Sequence, residues 1–502
     1  MIFRSFHGIV VCAAACLLVI GCKRGADESS RAGVVQAPRR TPMAALYDRC
    51  KQAVVNISTI TQEDNDEGAA YQTAWGAGWI LHPAGYVITA EHVIRPNGRT
   101  MVFLHSGEYR DCRVLVRYAP LDIALLKLEG TQPFDTLEVG RSNDLMVGEP
   151  AATIGNPTGL WNTLSVGVIS GLDRHSAAAA SYMYGLIQTD ASVSHGSSGG
   201  PLLNAFGEVI GVIDGVKSEA ENIGFAIPID QLRTHFPAMV SPEKRSGFVL
   251  GMSIDTLAPE ARVVGVAEGS PAAAVGIRPG DVIKRVGQME VRHGLDYYLA
   301  LIDCSAGQEV PIALSRNGRS LEVLVRLAEM ALRPAVTTPV LNSGLKYEGF
   351  IGNWDRLPDF EKLSPVKVGN VATVVLPELN EATPGVAVRF TGYLDVPADG
   401  LYTFFLTSDD GSRLYISDEL LIDNDFVHMP QVRNGLIRLQ AGKHPITVLY
   451  FDNRGKKSLT LEIEGPGLEK QSVPETMLFT DAAPEAPEVI DVPVNGPAEL
   501  VE

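Results

Sequence analysis

The sequence predicts a mainly β, multidomain protein, and three observations carry that expectation. At 502 residues the chain has room for roughly three domains of about 150 residues each. Strand formers recur throughout with 49 glycines among them, while long stretches of helical period are scarce. Apolar residues make up 45% and charged residues 20%, enough to bury several cores, which excludes a disordered chain. The formal charge of −17 argues against nucleic acid as a partner, because phosphate binding needs a basic surface.

Residues 1–21 read as a targeting segment. Arg4 supplies a positive start, and the apolar run from Gly8 to Ile20 is too short to span a bilayer comfortably. It ends in Val19-Ile20-Gly21-Cys22, which resembles the lipobox of bacterial lipoproteins. The resemblance implies lipidation of Cys22, a membrane anchor and a cell-envelope location facing the periplasm. The alternative is an ordinary signal peptide with a chance cysteine. Residues 22–43 form a polar tether. Of the six cysteines, Cys12 and Cys16 leave with the targeting segment, and Cys50, Cys112 and Cys304 remain beside Cys22. A disulfide between Cys50 and Cys112 suits an oxidising compartment, but the sequence does not decide it, and no metal-ligand spacing is present.

The first domain spans 44–240. A short helix, Met43 to Ala53, leads into a strand from Val54 to Ile60 and an acidic loop from Glu63 to Glu67. A hairpin follows, Trp75 to Leu81 and Tyr86 to Thr89, turning at His82-Pro83-Ala84-Gly85 and delivering His92. Next, Asp122 stands beside the apolar strand Ile123 to Leu128, where a carboxylate is costly unless a donor meets it. Farther on, Ser198 lies in the run Gly196-Ser197-Ser198-Gly199-Gly200. Glycines on both sides free the backbone for unusual dihedral angles. The N–H groups of Gly196 and Ser198 can then converge on one point, as a tetrahedral oxyanion requires. Singly, these residues read as a structural histidine, a bonded aspartate and a polar turn. Together, His92, Asp122 and Ser198 supply a general base, its orienter and a nucleophile.

Those residues also carry a family resemblance. Gly76-Ala77-Gly78-Trp79-Ile80, Thr89-Ala90-Glu91-His92-Val93, Asp122-Ile123-Ala124-Leu125-Leu126, Ile154-Gly155-Asn156-Pro157, Gly196 to Pro201 and Gly224-Phe225-Ala226-Ile227-Pro228 make this segment resemble trypsin-like serine proteases of the HtrA/Deg type. The resemblance implies two six-stranded β-barrels with the triad between them. It implies an oxyanion hole of N–H groups from Gly196, Ser197 and Ser198, and needs no cofactor for proteolysis. It implies unfolded or damaged exported proteins as substrates, cleaved after small aliphatic residues by a homotrimer or larger assembly. The chain departs from the family at Ser197, where Asn is usual, at His195, where Pro is common, and at Glu91, where Asn is usual. No triad member is lost, and the alternatives are a chaperone-like peptide binder with a weak or silent triad and an envelope glycan-binding adhesin carrying a protease fold.

After a linker at Ser241-Pro242-Glu243-Lys244-Arg245, residues 246–329 resemble a PDZ domain, through Phe248-Val249-Leu250-Gly251-Met252 and Gly269 to Ile283. A peptide C-terminus is expected to add as a strand at Val249, Leu250, Gly251 and Met252, its carboxylate on N–H groups of that loop. A spacer that merely orients the protease is the alternative. Residues 330–343, with Pro334 and Pro339, read as a stiff linker.

Residues 344–480 resemble the protective-antigen-type (PA-fourteen) β-sandwich of adhesins, toxins and glycosidases. The carrying stretches are Tyr347-Glu348-Gly349, Trp354 to Pro358, Val388 to Tyr393, Gly400 to Phe404, Ser408 to Leu414 and Ala441 to Pro445. In sugar-binding members an adjacent aspartate pair grips Ca²⁺, which holds vicinal sugar hydroxyls. Asp409 and Asp410 match that pair, with Asp423, Asn424 and Asp425 as neighbouring donors, and hard oxygen ligands suit Ca²⁺. The resemblance thereby implies a cell-wall or surface glycan as partner. Ser-Asp-Asp-Gly-Ser reads equally as a hairpin turn. Residues 481–502 are acidic, lack Lys and Arg, and read as a disordered tail.

Overall fold

The computed structural model describes residues 40–481, apart from 66–67, 96–97, 131–132, 157–159, 161, 179–180, 217–221, 339–341, 380–384 and 454–456. The targeting segment, Cys22, most of the tether and the acidic tail lie outside the described residues. Strand takes 51% of the described residues and helix 13%, so the mainly β expectation holds.

The first domain opens with helix Pro42–Cys50, which buries Leu46 and Cys50, one turn apart on one face. A seven-stranded antiparallel sheet follows, ordered Tyr109–Arg110, Arg99–Phe103, Val54–Asn65, Gly68–His82, Tyr86–Ala90, Ile123–Leu128 and Cys112–Tyr118. Alternate residues serve two cores. Val55, Ile57, Ile80 and Val87 pack inside the sheet. Val54, Trp79, Leu81 and Ile88 face outward into a second apolar cluster. The stretch expected as an acidic loop is partly strand, since pairing with Gly68–His82 continues through Asn65. The second sheet closes into a six-stranded barrel: Ser181–Thr189, Gly224–Pro228, Val209–Val216, Pro201–Leu203, Pro150–Gly155 and Thr163–Ala178.

The expected linker after Ser241 is a short helix, Pro242–Ser246. Proline at its first turn costs no hydrogen bond there, and Gly247 ends it at φ 70. The PDZ sheet runs Met252–Asp255, Arg262–Val266, Val282–Val286, Glu309–Arg316 and Arg319–Arg326, with Met252–Asp255 at its edge. Its core is continuous with the outward cluster of the protease domain, which holds a seven-stranded sheet and one closed six-stranded barrel where two six-stranded barrels were expected. Buried Arg233, on helix Ile229–Val240, seals the junction by donating to the carbonyls of Thr256 and Ala258.

The C-terminal domain packs an eight-stranded sheet on a four-stranded one, around Phe390, Tyr402, Phe404, Leu406, Val448 and Tyr450. Its strand Gln431–Leu439 lies against the turn Ala119–Leu121 of the first domain and against helix Pro242–Ser246. Arg333, at the start of the proline linker, bridges to Leu439, and Val336 N–H donates to the Lys443 carbonyl, so this part of the linker is seated on the sandwich.

Candidate active site

His92 sits in a single 3-10 turn, Glu91–Val93, at the end of the fully buried strand Tyr86–Ala90. Asp122 closes another 3-10 turn, Ala119–Leu121, in the left-handed region at φ 50, ψ 42. Aspartate tolerates that conformation better than most residues. Three hydrogen bonds lock the two turns together. Glu91 N–H donates to the Asp122 carbonyl at 2.8 Å, and His92 N–H donates to Asp122 Oδ1 at 2.9 Å. The third joins His92 Nδ1 to Asp122 Oδ2 at 2.5 Å. An ionised carboxylate only accepts, so the proton of this pair lies on Nδ1 and leaves Nε2 as the base. Burial opposes charge on His92, but the Asp122 bond and the charges of Asp122, Asp214 and Glu91 outweigh it, and its pKa is raised. Glu91, one departure from the family pattern, is itself ion-paired with Arg117.

Ser198 is held by the backbone around it. Ala77 N–H donates to the Ser198 carbonyl at 2.8 Å, and Gly199 N–H to the Ile213 carbonyl at 2.7 Å. Gly199 stands at φ 84, where a Cβ would overlap the Ala77 carbonyl, Thr89 Oγ1 and Ala90 N. Only glycine lets the nucleophile loop seat this closely on the hairpin that carries His92. Ser198 and His92 line one cleft, together with Trp75, Gly196 and Asp214. The Ser198 hydroxyl donates to the Asp214 carbonyl at 3.0 Å rather than to the imidazole.

The oxyanion expectation narrows from three N–H groups to two. Ser197 N–H is spent on the Ser194 carbonyl at 2.9 Å, closing a tight turn. Those of Gly196, at φ 98, and Ser198 take part in no hydrogen bond among the described residues. They are therefore the two donors left for an oxyanion.

Sequence reasoning missed Asp214. It lies mid-strand in Val209–Val216, where one acidic residue among apolar neighbours reads as an outward-facing position. It is instead 6% exposed. Ligand atoms of Asp122, Asp214 and His92 all lie within 4.8 Å of one another. Burial, then the charge of Asp122 and a hydrogen bond with it, pushes the Asp214 pKa up to about 7, with His92 opposing. The legible signal was a carboxylate flanked by Ile213 and Gly215 in a strand running into the same cleft.

At the expected peptide loop, Leu250 is buried and Gly251 turns at φ 77. The Glu243 carboxylate already sits there, accepting from Gly251 N–H at 3.2 Å and bonded to that of Leu250. Burial raises the Glu243 pKa, and those two bonds offset part of the rise. Met252 pairs with Val266 and Val249 with Ala328.

In the sandwich, carboxylate oxygens of Asp409, Asp410 and Asp452 lie within 4.8 Å of one another. Asp423, Asn424 and Asp425 do not join them. Asp423 pairs with Arg413, Asn424 with Ser408, and Asp425 accepts from Leu357 N–H. Asp452 takes their place from strand Gly442–Asp452, and both of its buried oxygens are without a hydrogen-bond donor among the described residues. Three converging carboxylates, one of them orphaned, fit a hard cation such as Ca²⁺.

Residues 76–212 match the trypsin-like peptidase domain, 248–327 the PDZ domain and 375–476 the PA14 domain. HhoA of Synechocystis sp. is 32% identical over 278 residues, covering 51% of this chain and 71% of that protein. This chain belongs to the HtrA/Deg family of serine proteases. HhoB of the same organism is 35% identical over 50% of this chain, and the chain spans 65% of its length. The periplasmic pH-dependent serine endoprotease DegQ of Escherichia coli is 30% identical, covering 58% of this chain and 68% of that protein. The solved HtrA-type protease AlgW with decapeptide aligns over 58% of this chain and 99% of its own, at 25% identity and TM-score 0.36. Among the described residues Cys50, Cys112 and Cys304 are free thiols: Cys50 is packed against Gly207, Cys112 bonds the Thr100 carbonyl, and no disulfide joins them.

Proposed function

We propose that this chain is a cell-envelope serine endopeptidase that cleaves unfolded or damaged exported proteins. The observation that carries the reading is the Asp122–His92 pair facing Ser198 across one cleft, beside two unspent N–H groups. In this mechanism the Ser198 hydroxyl turns from the Asp214 carbonyl to His92 Nε2, which takes its proton as oxygen attacks the peptide carbonyl. The N–H groups of Gly196 and Ser198 receive the oxyanion. His92 then gives the proton to the leaving amine, and Asp122 stabilises the imidazolium throughout. A second round with water releases the acyl group.

The reading extends to the parts around the cleft. A lipid on Cys22 would hold the enzyme to a membrane facing the periplasm, and the chain would act as a homotrimer or larger assembly. The PDZ loop would take peptide C-termini in place of Glu243. Asp409, Asp410 and Asp452 would hold Ca²⁺, which supplies a polarising centre for vicinal hydroxyls of a cell-wall or surface glycan. A fluorophosphonate probe should label Ser198, and Ser198→Ala should abolish both labelling and casein cleavage. An unlabelled parent protein that still suppresses aggregation would establish a second reading, a chaperone-like peptide binder. The bond from Ser198 to Asp214, instead of to His92, favours that alternative.

A further inference from the structure

The triad's imidazole faces two carboxyl groups, and the endopeptidase mechanism uses one. We propose that Asp214 is a positioning residue of the active site, holding a proton shared with the Asp122 carboxylate so that one negative charge, not two, faces His92. The inference rests on the endopeptidase reading and adds a fourth titrating group to it.

Geometry supports the sharing, since ligand atoms of Asp122, Asp214 and His92 lie within 4.8 Å of one another. Asp122 is 6% exposed and already accepts from His92 N–H and Nδ1, so its charge is fixed by two donors. Asp214 is equally buried, Oδ1 of its carboxyl has no donor among the described residues, and its main-chain carbonyl is occupied by the Ser198 hydroxyl. Two ionised carboxylates this close, away from water, repel strongly, and a proton held on one of them removes that cost. Burial and Asp122 together lift the Asp214 carboxyl to about 7, in keeping with this arrangement. The groups facing Asp214 are Asp122 and His92, with Glu91 behind the imidazole and Arg95 and His195 on the cleft rim.

The proton balance has consequences for catalysis. With Asp214 protonated and His92 neutral, Nε2 can take the Ser198 proton. Moving that same proton from Asp214 to His92 leaves the net charge of the cluster unchanged but yields imidazolium, which cannot act as base. Loss of a further proton to solvent restores a neutral imidazole. His92 therefore shares one proton with Asp214, held either as protonated Asp214 beside a neutral, basic imidazole or as ionised Asp214 beside imidazolium, and the ionisations on either side of that state belong to the cluster, not to one residue. Asp214→Asn leaves Asp122 a partner that is neutral at every pH and removes the form in which the proton sits on His92 and Asp214 is ionised.

The acid limb of kcat/KM against pH, measured on a peptide substrate with the mature protein, tests this. Asp214→Asn is expected to move that limb down by about 1 pH unit and reduce it to a single ionisation. A limb coincident with that of the parent would overturn the proposal. Asp214→Ser gives the same readout where the amide does not fit. The His92 imidazole, followed by NMR in the Ser198→Ala protein, separates this inference from the endopeptidase reading. Its titration should fall in Asp214→Asn even if no substrate is ever cleaved, and an unmoved titration refutes the shared proton.

Discussion

Ser198 Oγ donates to the main-chain carbonyl of Asp214 at 3.0 Å, while His92, in the same cleft, holds its own bond to Asp122. The His92–Asp122 pair is thus formed while the Ser198 hydroxyl is bonded elsewhere. What orients the base is Asp122 Oδ2 alone, because Oδ1 is committed to the His92 N–H. Asp122→Asn presents either an amide N–H or an oxygen to Nδ1. The amide N–H stabilises the wrong tautomer and the oxygen brings no charge. The expected loss in kcat is about 10⁴-fold, with little change in the thermal midpoint. Steady-state cleavage of a peptide substrate beside differential scanning fluorimetry checks both halves.

Gly199 and Gly107 separate a backbone requirement from a packing one. Both have positive φ, 84 and 86, but a Cβ on Gly107 meets only open space, whereas one on Gly199 overlaps backbone atoms of the His92 hairpin. Gly107→Ala is expected to cost about 1 kcal/mol through its conformation alone. Gly199→Ala adds the overlap and should cost about 3 kcal/mol or more, abolishing labelling of Ser198. Urea midpoints of the two variants give the comparison, and equal midpoints would contradict it.

Glu243 lies beside Lys244 on one short helix, and the two side chains reach opposite ways. Glu243 accepts from the PDZ loop at Gly251 N–H, while Lys244 Nζ donates to the Leu436 carbonyl of the sandwich at 2.8 Å. A peptide carboxylate must displace Glu243 to use the same N–H groups. Glu243→Ala should therefore tighten binding of a C-terminal peptide by about tenfold, in line with removing roughly 1.4 kcal/mol of competition. Isothermal titration of parent and variant reads this directly, and unchanged affinity would place the peptide elsewhere.

The sequence showed most where a motif is local. His92, Asp122 and Ser198 each sit at the end of a legible strand or in a glycine-rich turn, so their chemistry could be read from neighbours. Asp214 was hidden because an alternating strand does not say which face is solvent, and Val209–Val216 runs from one barrel's wall into a shared cleft. Glu243 read as linker because Ser-Pro-Glu-Lys-Arg has no apolar stripe. Its helix exists by virtue of what Glu243 and Lys244 bond on either side. Likewise Asp452 lies 42 positions beyond Asp410 in number, and only sheet pairing of strand Gly442–Asp452 with Ser412–Ile416 brings them together.

The acidic trio of the sandwich gives a cation prediction. Asp410 is anchored by donors from His428 N–H and Asn453 N–H, at 2.8 Å and 2.9 Å, while Asp452 has none among the described residues. A divalent cation would relieve the repulsion among the three. Ca²⁺ at 100 times its Kd should stabilise the domain by about 2.7 kcal/mol, and chelator should reverse the gain. Asp452→Ala should lose the Ca²⁺ response and retention on polysaccharide together. A thermal midpoint indifferent to Ca²⁺ and chelator would remove the cation reading while leaving the protease untouched.

Stability should also carry the signature of Asp214. Its folded pKa of about 7 lies above the ordinary 3.8, so between those values the native protein holds a proton that the unfolded chain has released. Stability then falls as pH rises through that window, because the native state binds more protons there. The raised pKa of His92 acts in the same direction, adding stability below its ordinary 6.5 that is lost as pH climbs through the folded value. Asp214→Asn removes the first contribution and weakens the second, since the Asp214 charge is among those lifting His92. Urea midpoints from about pH 4 to about pH 8 should therefore decline more steeply in the parent than in the variant, with the variant the more stable at the alkaline end. Parallel profiles would mean that Asp214 is ionised throughout, and the paired-carboxyl account of the cleft would fail with them.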